Sequence, residues 1–210
     1  MALLGIDVGT QSLKAVVVDA DLRVLGAGSR AYRPDYPRPG WAEQDPRLWL
    51  AALRPAIGAA LAAAGLAPMD IEALAVCGQL DGCVPVGADG APLHAALIWM
   101  DRRGEPHLAG VDPALIRDRC GLVSDATHMA AKIAWLAAEH PSSPVATWHQ
   151  PVSFIVAALT GERVMSHSLA STTMLYDVRR RDWAEDLLDR FGATRAQMPA
   201  LADEAAIAGR

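Results

Sequence analysis

The sequence predicts an α/β fold built on a mixed sheet, in which an antiparallel meander is flanked by helices. Two apolar strands, Ala2 to Ile6 and Leu13 to Val18, are joined by a short turn at Gly9-Thr10. Strands this close in sequence form a β-hairpin rather than a strand–loop–helix unit. A turn at Ala20-Asp21 then leads into a third strand, Leu22 to Tyr32. A long helix and a further strand follow, and they complete the pattern on which the fold class depends.

The helix is predicted by its ends and by its apolar spacing. Asp45-Pro46 places an N-cap residue before a proline in the first turn, and Gly65 ends the helix. Between them, apolar residues recur at every fourth position and form one buried stripe, namely Trp49, Leu53, Ile57 and Leu61. Ile71 to Cys77 then has the composition of a strand.

The second half of the chain is predicted to be mainly helical. It begins with a glycine-bracketed turn, Gly78 to Gly82, and a hairpin turn at Asp89-Gly90. The predicted strands here are Cys83 to Val86, Ala95 to Trp99 and Val145 to Trp148. The predicted helices begin at Asp112-Pro113 and cover Thr127 to Glu139, Val152 to Leu159 and Arg181 to Phe191.

Composition excludes several classes of function. The 210 residues are 52% hydrophobic and 20% charged, with a net charge of −5, which is typical of a globular chain. The longest basic cluster is Arg179-Arg180-Arg181, so nucleic-acid binding is not expected. No signal or membrane-spanning segment is predicted, and no membrane partner. Three cysteines without C-x-x-C spacing indicate reduced thiols in a cytoplasmic protein, with no zinc site.

The first hairpin turn carries the residue types that a nucleotide triphosphate needs. Gly9 lets the backbone approach a phosphate, and successive turn N–H groups can form an anion-binding nest. Asp7 ends the first strand with a carboxylate that suits a hydrated Mg²⁺. Lys14 places a cation near the terminal phosphate. The alternative is an ordinary hairpin turn that contains Asp and Gly, as many turns do.

Seven short motifs occur in one order along the chain, and together they resemble the FGGY family of carbohydrate kinases, most closely its xylulokinase-like members. They are Gly5-Ile6-Asp7-Val8-Gly9-Thr10, Gly40-Trp41-Ala42-Glu43-Gln44-Asp45-Pro46, Gly78-Gln79-Leu80-Asp81-Gly82, Ile98-Trp99-Met100-Asp101-Arg102-Arg103, Lys132-Ile133-Ala134-Trp135-Leu136, Leu159-Thr160-Gly161 and Arg181-Asp182-Trp183. The resemblance implies the ribonuclease-H-like fold that sugar kinases share with actin and Hsp70-type ATPases. It also implies transfer of the γ-phosphoryl group of ATP to a sugar or polyol hydroxyl, with Mg²⁺.

The resemblance implies two groups of site residues. On the phosphate side, Asp7 would hold the metal ion, Lys14 would lie near the γ-phosphate, and Gly9, Thr10 and Gln11 would approach the phosphates. On the acceptor side, the sugar or polyol would be bound by Gln79, Leu80, Asp81, Trp99, Asp101 and Arg102. Core packing is an equal alternative for Trp99, and an ion pair to Asp101 or Glu105 is the alternative for Arg102.

Two positions depart from the family pattern. Xylulokinases usually have His where this chain has Asp81, and glycerol-kinase-like members have Arg where this chain has Leu80. An ionised carboxylate accepts hydroxyl donors but cannot donate. We therefore expect a polyhydroxylated acceptor, with D-xylulose itself in doubt.

The resemblance implies that residues 1–210 form most of an N-terminal, sugar-binding domain. The catalytic base, an Asp, and the ATP-binding domain are expected beyond Arg210, so no catalytic residue is assigned here and the fragment by itself is expected to be inactive. A homodimer is a further expectation. His128, His149 and His167 are expected to be surface or half-buried polar residues. The alternatives are a stand-alone sugar-binding or regulatory module and, less in accord with the acceptor motifs, an actin-like or Hsp70-like ATPase.

Overall fold

A computed structural model describes residues 2–209, which divide into two compact units. Unit 1 contains the residues up to Pro34 together with Asp45–Gln79, and unit 2 contains Asp35–Gln44 and the residues from Leu80 onward. The strands are, in chain order, β1 (Ala2–Val8), β2 (Ser12–Asp19), β3 (Val24–Ala31), β4 (Glu43–Gln44), β5 (Ile71–Gly78), β6 (Val84–Val86), β7 (Ala96–Leu97), β8 (Thr147–His149), β9 (Val164–Ser166), β10 (Tyr176–Asp177), β11 (Asp182–Trp183) and β12 (Ala200–Ala202). The α-helices are α1 (Pro46–Ala64), α2 (Pro113–Cys120), α3 (Met129–Glu139), α4 (Pro151–Thr160), α5 (His167–Ala170) and α6 (Glu185–Arg190).

The sheet of unit 1 confirms the predicted fold class. Strands β1 and β2 form an antiparallel hairpin in which Ala2 is opposite Asp19 and Val8 is opposite Leu13. The strand order is β3-β2-β1-β5, and β5 runs parallel to β1, so the sheet is mixed. Alternate residues of β1 are buried, as a strand covered on one face requires. Strand β5 is the sheet edge and most of its residues are exposed.

Helix α1 covers the antiparallel strands of unit 1 and has the predicted ends. The Asp45 side chain caps the helix by accepting the Arg47 N–H, and Gly65 ends it in the left-handed conformation. Two glycines of β3 let the helix backbone approach closely, since a Cβ on Gly28 would lie 2.3 Å from the Ala56 carbonyl oxygen. By length and hydropathy α1 could cross a membrane, but it packs on β2 and β3 as a core helix.

Unit 2 has its own hydrophobic core, formed by helices α2, α3 and α6 with the short strands around them. Its largest members are aromatic, and the fully buried Phe191 and nearly buried Trp148, Tyr176 and Trp183 are among them. Cys83 and Cys120 are buried here, whereas Cys77 of unit 1 is exposed, and all three are free thiols.

The predicted last helix, Arg181 to Phe191, is wrong in its first part. Asp182–Trp183 forms strand β11 and pairs antiparallel with β10, and the helix covers only Glu185–Arg190. The Trp183 indole is buried and its Nε1–H donates to the Pro199 carbonyl oxygen at 2.9 Å. Burial of this side chain against a segment 16 residues later overrides the local helical pattern.

Two further boundaries differ from the predictions. The third strand begins at Val24 rather than Leu22, because Leu22 adopts a left-handed φ of 61° in the preceding turn. Helix α3 begins at Met129, and His128 is its extended N-cap residue rather than part of the helix. This second difference places His128 in the segment that precedes the helix.

Candidate functional site

The turn between β1 and β2 is fixed by hydrogen bonds within unit 1. The Gly9 N–H donates to the Ser12 carbonyl at 3.0 Å, and the Gly9 carbonyl accepts the Tyr32 hydroxyl at 2.7 Å. The Tyr32 N–H donates to the Gln11 carbonyl at 3.0 Å. A Cβ on Gly9 would lie 2.9 Å from the Ser12 oxygen, so the turn itself requires glycine. Because both main-chain groups of Gly9 are used inside the turn, its neighbours Thr10 and Gln11 remain as the candidates for phosphate contacts.

Asp7 and Lys14 lie opposite each other at the end of the hairpin. Their side chains form an ion pair at 3.3 Å and are 39% and 64% exposed, respectively. Exposed pairs of this kind are weak, so either partner can exchange the other for a ligand at little cost. Burial, with Asp7 nearby, raises the pKa of the Tyr32 hydroxyl well above its usual value, which keeps this hydrogen-bond donor protonated.

The chemistry of Asp7 fits a hydrated Mg²⁺. Mg²⁺ usually keeps several waters and binds through one or two carboxylates together with substrate phosphates. Asp7 offers one partly exposed carboxylate in the turn region. Among residues 2–209 no group of three or more His, Cys, Asp or Glu side chains is arranged to hold a metal. The donors therefore suit a metal that arrives with a phosphate ligand, rather than a cage made by the protein alone.

The turn after β5 leads to Asp81, which adopts an unusual backbone conformation. The Gln79 N–H still pairs with the Val8 carbonyl at 2.9 Å, and Leu80 is 45% exposed. Asp81 has a left-handed φ of 59°, which is uncommon for a residue other than glycine. Its N–H donates to the buried Oε1 of Gln150 at 2.7 Å, and this bond holds the turn.

The Asp81 carboxylate has a histidine partner. His128 Nδ1 lies 3.3 Å from Asp81 Oδ1, and both side chains are largely buried. Lys132 of α3 is fully buried and its Nζ donates to the Thr127 carbonyl. Burial lowers the pKa of Lys132 to about 8, against the opposing effect of Asp81 and other acidic groups nearby. The Asp81 side chain thus lies among polar and ionisable groups of unit 2.

Asp101 is buried inside an ion-pair network. Its Oδ2 accepts the Ala42 N–H at 2.7 Å, and both carboxylate oxygens accept hydrogen bonds from Arg103. The Arg103 guanidinium also pairs with Glu43 at 2.8 Å and lies over the Trp41 ring, with its Cζ 3.7 Å from the ring centroid. The Arg103 Cζ also lies 4.9 Å from the centroid of the Trp135 ring. Asp101 therefore fixes the loop in which it lies, and neither of its oxygens is left without a partner.

Arg102 and Trp99 occupy the exposed part of the same loop. The Arg102 guanidinium forms two hydrogen bonds with Asp125, at 3.0 and 3.2 Å, and an ion pair with Glu105 at 3.6 Å. Burial raises the pKa of Asp125, but hydrogen bonds from Thr127 and Arg102 outweigh it and bring the pKa to about 2. Trp99 is 43% exposed, so part of its side chain faces solvent.

Hydrogen bonds connect some of the predicted acceptor residues within unit 2. Arg102 pairs with Asp125, whose Oδ1 accepts the Thr127 N–H, and the adjacent His128 contacts Asp81. No site role is predicted from the sequence for Asp125, His128 or Gln150. The Asp125 turn has a weak local signal, since Asp often accepts the N–H two residues on. His128 and Gln150 have none, because they lie 47 and 69 residues from Asp81.

Comparisons with known proteins identify the family of the chain. The model of the FGGY family of carbohydrate kinases, N-terminal domain, matches residues 2–210. The chain belongs to this family. A glycerol kinase from Thermococcus onnurineus is 33% identical over 217 aligned residues, which cover 99% of this chain and 44% of the relative. The chain thus spans less than half the length of the curated relatives that it matches.

Solved structures show the same fold. The crystal structure of a xyloylose (xylulose) kinase from Brucella ovis matches with a TM-score of 0.91 at 29% identity, over 96% of this chain and 43% of that one. A Plasmodium falciparum glycerol kinase with ADP matches with a TM-score of 0.90 at 21% identity, over 99% of this chain and 44% of that one, and shows the fold alone. Glycerol kinases and xylulose kinases both occur among the matches. The comparisons therefore do not single out the xylulokinases, which the sequence was expected to resemble most.

Proposed function

We propose that the full-length protein carrying this chain uses ATP and Mg²⁺ to phosphorylate a hydroxyl group of a sugar or polyol. Residues 1–210 would supply most of its N-terminal domain. The observation that carries this proposal is the partly exposed Asp7–Lys14 pair at the hairpin turn, in a chain of the FGGY family. One anionic and one cationic side chain at the same turn can serve a metal ion and a phosphate together.

The proposed roles on the phosphate side follow from charge. Phosphoryl transfer needs positioning and neutralisation of the negative charge on three phosphoryl oxygens. Mg²⁺, when bound, supplies part of that positive charge. Asp7 would hold its hydration shell, and Lys14 would exchange its pairing with Asp7 for one with the γ-phosphate. Thr10 and Gln11 would contact the phosphates, while Gly9 keeps the turn in shape.

The proposed roles on the acceptor side divide into binding and positioning. Asp81 would accept hydroxyl hydrogen bonds, and the exposed face of Trp99 would pack on the C–H groups of the acceptor. Gln79, Leu80 and Arg102 would complete the surface around it. Asp101 would act by positioning the loop of Trp99 and Arg102, because its own oxygens are already paired. The catalytic Asp and the adenine-binding residues are expected beyond Arg210, so the isolated chain is expected to be inactive.

The acceptor is proposed to be polyhydroxylated, and the departures at Leu80 and Asp81 argue against assigning D-xylulose itself. We further propose a cytoplasmic enzyme that acts without nucleic acid or membrane and forms a homodimer. The free thiols are compatible with a reducing compartment. The alternative is a sugar-binding or regulatory module without catalysis, and the retained Asp7–Lys14 pair argues against it, since a sugar binder needs no phosphate site.

The test is an assay of ADP release by the full-length protein with glycerol, erythritol, ribitol and D-xylulose, with and without Mg²⁺. We expect ADP release that depends on both the acceptor and Mg²⁺. Calorimetric binding of an acceptor without any ADP release would support the binding module instead. ADP release that no acceptor increases would contradict the kinase assignment.

A further inference from the structure

Tyr32 is a half-buried residue of unit 1 that follows strand β3 and lies outside the seven sequence motifs. Its hydroxyl donates to the Gly9 carbonyl at 2.7 Å, and its main-chain N–H donates to the Gln11 carbonyl at 3.0 Å. Gly9, Thr10 and Gln11 form the turn between β1 and β2. Tyr32 therefore holds the first and the last residue of that turn, from a position 23 residues after Gly9.

The hydroxyl bond also sets the direction of a main-chain donor. The Gly9 carbonyl and the Thr10 N–H belong to the same peptide group, and no peptide bond among residues 2–209 is cis. In a planar trans peptide the C=O and N–H bonds point in opposite directions. Because the Gly9 carbonyl is directed at the Tyr32 hydroxyl, the Thr10 N–H is directed away from Tyr32.

Gly9 makes such a restraint necessary. A glycine has more backbone conformations available than any other residue, and a Cβ at this position would lie 2.9 Å from the Ser12 oxygen, so a stiffer residue does not fit. The bond from Tyr32 restrains the Gly9–Thr10 peptide without needing a Cβ. Burial, with a further contribution from Asp7, raises the pKa of the Tyr32 hydroxyl well above its usual value, so the donor keeps its proton. A group that is already oriented loses less conformational entropy when it binds a ligand.

We propose that Tyr32 is a positioning residue for the nucleotide, whose hydroxyl holds the Gly9–Thr10 peptide in the orientation in which the Thr10 N–H binds a phosphate oxygen of ATP. Tyr32 acts through the turn and is assigned no contact with the nucleotide itself. The inference rests on the proposed kinase function, in which Thr10 contacts the phosphates, and adds the residue that determines the geometry of that contact.

The experiment removes one oxygen atom and measures binding of a nucleotide with and without phosphates. Full-length wild type and Tyr32→Phe are titrated calorimetrically with β,γ-imido-ATP in the presence of Mg²⁺, and with adenosine. The ring and the main-chain bond to Gln11 remain in Tyr32→Phe, so only the Gly9–Thr10 peptide is released. We expect Kd for the ATP analogue to rise about tenfold, and Kd for adenosine to change by about twofold or less.

Two further proteins control for the loss of the hydroxyl. Tyr36→Phe removes the same atom from a tyrosine of unit 2 that is 61% exposed, and it should bind the ATP analogue as the wild type does. Placing p-aminophenylalanine at position 32 restores an N–H donor where the hydroxyl was, and should recover most of the lost affinity. Partial unfolding of any variant lowers the binding stoichiometry and leaves Kd unchanged, so it does not imitate the expected result.

Steady-state kinetics provide a second measurement. Tyr32→Phe should lower kcat/KM for ATP and leave KM for the acceptor unchanged at saturating ATP, whereas a general loss of structure would affect both substrates. Equal Kd values for the ATP analogue in wild type and Tyr32→Phe, or an equal rise for the analogue and for adenosine, overturn this inference and leave the kinase function intact. Failure of the wild type to release ADP with any acceptor overturns the proposed function, and the inference with it.

Discussion

The charged residues of the β1–β2 turn and those of the buried ion-pair network of Asp101 and Arg103 differ in their exposure to solvent. At the turn, the Asp7 and Lys14 side chains are 39% and 64% exposed, and within residues 2–209 each is the other's ion-pair partner. In unit 2, Asp101 and Arg103 have side chains 0% and 3% exposed, and main-chain and aromatic groups satisfy them. A solvated pair can exchange partners with a ligand, whereas a buried one cannot do so without leaving a charge unpaired. Motif membership alone therefore does not distinguish residues that bind from residues that position.

The largest expected effect is at the buried network. Arg103→Met removes the partner of Asp101 and leaves a fully buried carboxylate uncompensated, so the free energy of unfolding should fall by about 3–5 kcal/mol. Arg102→Met, one residue earlier, breaks an exposed pair with Asp125 and should cost about 1 kcal/mol or less. Urea unfolding of both variants measures the difference. Equal losses of unfolding free energy would contradict the expectation that the buried pair matters more for stability than the exposed pair.

The exposed pair should matter for turnover instead of stability. Asp7→Asn in the full-length protein keeps the shape of the side chain but removes its charge, and kcat should fall by about 100-fold, as when a group that stabilises transition-state charge is lost. The unfolding transition should hardly move. Asp21→Asn, a second exposed aspartate of unit 1, is the control and should keep normal kcat. Near-normal turnover of Asp7→Asn would remove Asp7 from the metal site.

Buried polar groups of unit 2 should also make its stability depend on pH. Burial lowers the pKa of His149 to about 4, and the ring pairs with Ser153 at 3.1 Å. Between pH 7 and 5 the unfolded chain binds a proton at His149 that the folded chain does not, so stability falls with falling pH, by about 2 kcal/mol. His149→Gln should lose less stability over the same range. Urea unfolding at both pH values measures this, and an unchanged pH dependence would contradict the assignment.

The smallest expected effects concern packing within unit 1. Gly28→Ala places a Cβ 2.3 Å from the Ala56 carbonyl and must displace α1, at a cost of about 1–3 kcal/mol. Gly58→Ala adds a methyl group to the same helix where nothing lies within 4 Å, and should stabilise by about 1 kcal/mol. Thermal unfolding of the pair tests the packing of α1 on β3. Destabilisation by both variants would show that helix propensity does not determine the effect of Gly58→Ala on stability.

Local patterns predict the parts of the fold whose causes are local. The β1–β2 hairpin, the Asp45 cap and the Gly65 end of α1 all depend on residues within a few positions of one another. The helix predicted from Arg181 fails for the opposite reason, because Trp183 packs and hydrogen-bonds with a segment that comes later in the chain. No periodicity within residues 181–191 contains that information.

The candidate site shows the same division. The turn with Asp7 and Gly9 is contiguous, so its residues can be named from the sequence. His128 could be foreseen only as a polar residue, and His149, expected at or near the surface, is buried. The contact of His128 with Asp81 arises from tertiary structure. Asp101 and Arg102 are neighbours in one motif, yet one is buried and the other exposed, and only the structure separates their roles.

The open edge of the sheet has a practical consequence for work on this chain by itself. Strand β5 presents eight residues, including the exposed Leu74, with no neighbour on its outer side among residues 2–209. Unpaired N–H and C=O groups on an edge strand are a template for another strand. A preparation of the 210-residue chain is therefore expected to self-associate as its concentration rises, and the exposed Cys77 is a free thiol that can oxidise. Reducing agent and low protein concentration are the conditions under which its ligand binding should be measured.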